Sequence, residues 1–215
     1  MYQPPHHRED RLDVLHALIR AHPLGMLISV GPDRSPEANV IPMLLDEGRG
    51  EKGILKCHVA RANPQWKMLA DNGNVLVVFQ GAQSYITPSW YQTKLETGKV
   101  VPTWNYAMVQ VRGQARVHED REWLGEQIRQ LTRSQEGGRE KPWAVEDAPA
   151  TFIDAQIKGI VGVEIDITSI EGKWKVSQNR PVADRAGVVQ GLETENATPD
   201  AADMARLVRV FGGLE

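Results

Sequence analysis

The chain has 215 residues, 41% hydrophobic and 25% charged, with a formal net charge of −3 and a pI near 6.1. That length supports one full core, or a barrel with a helical appendage, and the slight acidity excludes bulk electrostatics as a route to a polyanionic partner. A single cysteine, Cys57, excludes an internal disulfide framework; no apolar run nears the roughly 20 residues that span a bilayer; and the opening residues lack a signal peptide's apolar stretch, so a cytoplasmic protein is expected.

In chain order, Leu12, Leu15 and Ile19 recur on one helical face over residues 8–22 until Pro23 stops the pattern. Strand patterns follow at 24–30, 37–45 and 53–59, separated by the turn compositions Gly31-Pro32-Asp33 and Asp46-Glu47-Gly48-Arg49-Gly50. A short helix fits 64–72 with Asn63 as its cap, and apolar strands fit 74–80 and 83–86. Residues 103–118 alternate, with Val109, Val111, Ala115 and Val117 on one face and Gly113 as a candidate bend. A helix over 120–136, capped by Asp120, turns Leu124, Ile128 and Leu131 inward. A strand at 159–170 precedes helices at 183–192 and 199–211, the second capped by Thr198 with Met204, Leu207, Val208 and Phe211 as its stripe. About six antiparallel strands with peripheral helices predict an α+β barrel. The domain reading is a body over 1–180 and a helical extension over 181–215.

The run Cys57-His58-Val59-Ala60-Arg61-Ala62-Asn63-Pro64-Gln65-Trp66-Lys67 ends a strand and opens a helix. Backbone N–H groups, the helix dipole, Arg61 and Lys67 would converge there on an anion, with His58 on the same strand face as Ala60. The same run also reads as an ordinary capped helix start with solvated charges, and the residues alone leave both readings open. Cys57 and His58 point to opposite faces of a strand, which argues against a catalytic pair and for a buried structural thiol.

Ser84-Tyr85-Ile86-Thr87-Pro88-Ser89-Trp90-Tyr91 and Val101-Pro102-Thr103-Trp104-Asn105-Tyr106 place hydroxyl and amide groups among aromatic rings, a lining that suits a flat heterocycle. Core or dimer packing would use the same aromatics. Lys175, Ser177, Gln178 and Asn179 are further polar candidates, although such a run also simply ends a strand.

The segments 58–64, 85–91, 101–106, 159–162 and 175–179 together resemble, in order and spacing, the PaiB-type family of FMN-binding negative transcriptional regulators. The resemblance covers nearly the whole chain. It implies a six-stranded Greek-key split β-barrel with peripheral helices, paired as a homodimer with FMN between subunits. Carried onto this sequence, His58, Ala60, Arg61, Ala62, Asn63 and Lys67 would hold the phosphate end. Ser89, Trp90, Tyr91, Trp104 and Asn105 would flank the ring or ribityl chain, from one chain or its partner.

Three functions compete on these grounds. A regulator would couple FMN or its redox state to a surface contacting DNA or a protein, although the most basic stretch, 129–141, also carries Glu136 and Glu140. An FMN-dependent oxidoreductase, like a flavin reductase or a pyridoxamine phosphate oxidase, needs no catalytic triad because the cofactor carries the electron chemistry. A haem-degrading oxygenase ranks last, since the six histidines show no paired ligand spacing; no metal site is expected.

Overall fold

The computed structural model describes residues 1–196 and 198–214; Ala197 and Glu215, which belong to the expected helical extension 181–215, lie outside the described residues. The elements are β1 (Arg8–Glu9), α1 (Leu12–Ala21), β2 (Leu24–Val30), β3 (Pro36–Pro42), β4 (Leu44–Asp46), β5 (Ile54–Ala60), α2 (Gln65–Asp71) and β6 (Asn74–Ile86). After these come α3 (Gln92–Thr97), β7 (Thr103–His118), α4 (Arg121–Glu136), α5 (Ala150–Lys158), β8 (Ile160–Lys175), α6 (Val182–Thr194) and α7 (Pro199–Gly212).

The strands pair in the order β3-β2-β6-β7-β8-β5-β4, with β1 added beside β8. The registers resolved for β1–β8, β2–β3, β2–β6, β4–β5 and β5–β8 are all antiparallel. This is an α+β fold, but the expected six-stranded barrel needs correcting: eight strands form one open sheet, seven of them in a path that ends at β3 and β4. Two contacts with other parts of the chain add strands. The run expected at 37–45 breaks at Met43, which is buried and donates its amide to the Pro23 carbonyl at 2.9 Å. The expected first helix starts late because Arg8 and Glu9 pair with Lys173 and Gly172. The two strands expected at 74–86 are one, in which burial alternation skips once at Gly81 and Ala82.

The chain forms two compact units. One comprises residues 16–79 and 110–170. Its core holds Leu27, Leu55, Cys57, Val77, Val111, Leu124 and Ile165. Here α2 lies against the inner face of β2 and β3 through Gln65, which is fully buried. Its Nε2 donates to the Leu27 carbonyl at 3.1 Å and Ser29 Oγ at 3.2 Å, and its Oε1 accepts from Asn39 at 3.1 Å. The outward residues of the same strands form apolar cross-strand pairs, Leu24 with Pro42, Met26 with Val40, Ile28 with Ala38 and Val30 with Pro36. Leu24, Met26, Val30 and Val40 are exposed.

The other unit comprises residues 1–15, 80–109 and those from 171 on. In it α6 and α7 pack together, α7 opening on Thr198, whose hydroxyl accepts from the Ala201 amide at 3.2 Å. Trp174 stacks on Phe211 at 5.8 Å between ring centroids, and Asn196 donates to Ser84 at 3.2 Å. These contacts fasten the C-terminal helices to β8 and β6 segments of the same unit.

Candidate functional site

The strand-to-helix turn belongs to the first unit. β5 ends opposite β8, with Ala60 facing Ile160, and the Arg61 amide donates to the Gly159 carbonyl at 2.8 Å. The Arg61 guanidinium is committed: Nε donates to the Lys158 carbonyl at 2.9 Å, Nη2 to the Ile160 carbonyl at 3.1 Å and Nη1 to the Glu119 carboxylate at 2.5 Å. Asn63 donates its amide to the Ala60 carbonyl, and its side-chain oxygen accepts from the Gln65 amide at 3.0 Å. The helix spans Gln65–Asp71 with Pro64 in the cap position, so Asn63 acts one residue earlier than expected. Trp66 donates its indole N–H back to the Arg61 carbonyl at 3.0 Å. Ala60, Ala62 and Lys67 are exposed. Lys67 Nζ lies 5.7 Å from the Trp66 ring centroid, with no hydrogen-bond acceptor among the described residues. The fit to a phosphate is therefore uneven: Lys67 is available at once, whereas Arg61 would have to exchange Glu119 for it.

His58 faces α4, its Nδ1 2.8 Å from Gln127 Oε1. Cys57 is wholly buried, and burial pushes its thiol pKa up to about 12, so it remains a neutral core group.

The aromatic wall belongs to the second unit. Ser89 is exposed, its hydroxyl accepting from Lys94 at 3.1 Å. Trp90 is half-buried and seated on α6. A Cβ at Gly191 would lie 2.2 Å from the indole, and one at Gly187 2.0 Å from the Trp90 carbonyl oxygen. Tyr91 is buried beneath the Arg180 guanidinium, 4.8 Å from its ring centroid, and burial raises its pKa. Asn105 is buried and donates to Ser177 Oγ at 2.9 Å. Ser177 holds a left-handed φ of 63°, and Gln178 bonds the Val176 amide at 2.9 Å, so these two serve the local turn.

Trp104 remains outward, 53% exposed and edge-on to exposed Tyr85 at 6.1 Å. With Tyr106, Met108, Gln80 and Gln83 it lines a cleft of about 260 Å³. Lys175 donates to the Trp104 carbonyl at 2.7 Å and lies 6.0 Å from the Tyr106 ring, and burial lowers its pKa. The cleft thus offers two aromatic faces, two amide groups and a cation nearby, a chemistry suited to a planar heterocycle with polar edges.

Sequence reasoning passed over Gln65, the cleft's Gln80, Gln83 and Met108, and a buried ion network in the first unit. In that network Glu164 accepts from Arg49 at 2.7 Å and Arg116 at 3.0 Å. Burial raises the Glu164 pKa, but the two arginine hydrogen bonds outweigh it and hold the carboxyl below its ordinary value. The only hint in the sequence was a carboxylate inside the apolar run 160–167.

Residues 1–169 match the family model described as "Putative FMN-binding domain". A protein of Emericella nidulans is 36% identical over 252 residues, covering 100% of this chain and 99% of its own. The Protease synthase and sporulation protein PAI 2 of Bacillus subtilis is 29% identical over 208 residues, covering 97% of this chain and 96% of its own. A solved structure of a conserved hypothetical protein from Mycobacterium tuberculosis shares the fold, with a TM-score of 0.60 at 15% identity over 84% of this chain and 94% of that one.

Proposed function

Because the chain belongs to the PaiB-type FMN-binding family, whose cofactor is FMN, we propose that it is a homodimeric flavoprotein of split-barrel type in which the FMN state governs a repressing contact in transcription. One observation carries the flavin reading: all eleven proposed contact residues, from His58 to Asn105, fall inside the family match over 1–169. Lys67, with Arg61 and the Ala60–Asn63 turn, would take the phosphate. Trp104 at the cleft, of the same chain or its partner, would take the ring, with Trp90, Tyr91 and Asn105 flanking the ring or the ribityl chain. His58 and Ser89 complete the proposed contacts. Bound FMN supplies electron transfer; the chain's own residues bind and orient it.

The dimer reading is supported by the outward face of β2 and β3. Four exposed aliphatic side chains in paired rows, with no charge among their cross-strand partners, form a surface that monomers seldom leave to water. The domain division we propose for this reading is a flavin-binding body over 1–180 with a helical extension over 181–215. For the regulatory contact, α7 argues against a basic groove, because Arg206 pairs with Asp203 at 3.8 Å and Arg209 with Glu193 at 2.9 Å. The repressing partner surface is thus expected to be set by flavin or dimer state.

The test is to purify the full chain with added FMN and to measure flavin content and mass in solution together. A dimer carrying one FMN per chain is expected, with Val40→Asp giving a folded, flavin-poor monomer. A wild-type monomer, or a dimer that stays colourless in excess FMN, would overturn the reading. Steady FMN-dependent NADH oxidation without any promoter-fragment shift would replace the regulator by an oxidoreductase.

A further inference from the structure

A cavity of about 490 Å³ lies in the first unit between α4, the single-turn helix Val145–Asp147 and α5, away from the residues proposed for flavin. Its size falls in the range of small-molecule sites. The lining is apolar where it is deepest: Val145 and Ile157 are buried, and Ile153 stands beside them. Gly125 contributes a gap. It sits inside α4, where a glycine weakens a helix, yet the position of its missing Cβ meets nothing within 4 Å except the tip of Arg129, Nη1 at 3.4 Å. No backbone approaches closely enough to require glycine there, so its effect is to leave room.

Arg129 is the polar group that reaches over this gap. It spends one N–H on Glu146, Nε to Oε1 at 2.7 Å, and Nη1 stands 3.9 Å from Glu126, beyond hydrogen-bond reach. The paired Nη1 and Nη2 donors of its fork have no acceptor among the described residues. Glu146 also lines the cavity and is the more exposed partner, 65% against 40% for Arg129. Arg121 also lines the cavity but is paired with Asp154, and Glu122 is a further acidic lining residue, which leaves the Arg129 fork as the cation with unspent donors at both Nη positions.

We propose that this cavity binds a small organic carboxylate with an apolar body, its carboxylate gripped by the Arg129 fork and its body resting on Gly125, Val145 and Ile157. A planar fork with two unspent donors matches a carboxylate in two-point fashion. The apolar floor excludes inorganic phosphate as the preferred occupant, because such an ion would lose hydration without replacement. The site is independent of flavin.

The test titrates the purified full chain with hexanoate, hexylamine and hexanol by calorimetry, and follows backbone amide shifts by NMR. Hexanoate is expected to bind with millimolar or better affinity and to shift amides of 121–129 and 145–157, while hexylamine and hexanol bind far more weakly. Arg129→Gln should weaken hexanoate about tenfold or more, the loss of a charged two-point contact, and Gly125→Leu should abolish binding by filling the gap. Hexylamine binding as well as hexanoate would overturn the proposal, as would the absence of hexanoate heat and shifts in the wild type. So would unchanged hexanoate affinity in Arg129→Gln, a surface variant that tests the site even if Gly125→Leu fails to fold.

Discussion

Gly191 and Trp90 form a notch and its filling: the indole lies where a side chain on α6 would otherwise be, 2.2 Å from the ideal Cβ position. Helix propensity alone would favour Gly191→Ala by up to about 1 kcal/mol. Steric overlap should reverse the sign, because neither the indole nor the helix can retreat without opening the core. We expect a net loss of about 1–3 kcal/mol, read as a lower urea midpoint. A stabilised variant would show that Trp90 is loosely seated.

Glu164 should set the acid limit of the first unit. Its folded pKa lies below the ordinary 4.5, so the stability it adds is complete above that value and is lost as pH falls through the lowered folded one. Glu164→Gln should cost about 1–3 kcal/mol at neutral pH, at the modest end for a buried ion pair because Arg49 and Arg116 are half exposed. As pH falls through that lowered folded value, the variant and the wild type should converge. Urea titrations across this range would show parallel curves if the network contributed nothing.

Arg61 and Lys67 should separate under mutation. Lys67→Ala is expected to weaken FMN about tenfold, the loss of one charge-assisted contact, with the unfolding midpoint unchanged. Arg61→Ala should lower the midpoint as well, since it removes bonds to Glu119 and to the Lys158 and Ile160 carbonyls. The double variant should lose more flavin affinity than Trp90→Phe or Ser177→Ala. Fluorescence titration showing equal affinities in all of these would contradict the proposed corner.

Cys57 should be silent toward thiol reagents. With its pKa near 12 and no solvent exposure, labelling by a disulfide reagent should occur only through unfolding and speed up with denaturant. Rapid labelling of the native chain would indicate an opening that bares β5.

Where local periodicity decides structure, the sequence was readable. The expected bounds of β7 coincide with Thr103–His118, because its alternation is strict, and Asp120 and Thr198 cap their helices as their hydroxyl or carboxylate chemistry demands. What escaped depended on distant parts of the chain. β1 is two residues long and exists only through Lys173 and Gly172. α5 starts after Pro149 without a side-chain cap, so nothing local announces it. The candidate site divided the same way. The charges at 61 and 67 could be named in advance, but Glu119 and the carbonyls that occupy Arg61 come from 58 to 99 positions away. The placement of Trp90 likewise required knowing what Gly187 and Gly191 leave open.

Gln65 ties the first turn of α2 to Leu27, Ser29 and Asn39, and those residues share strands with Met26, Val30 and Val40 on the opposite face. A ligand bound at that turn and a second chain on the outward face would therefore act on opposite sides of one ladder. Flavin capture and self-association would then be thermodynamically linked through one amide side chain, each strengthening the other by the same factor.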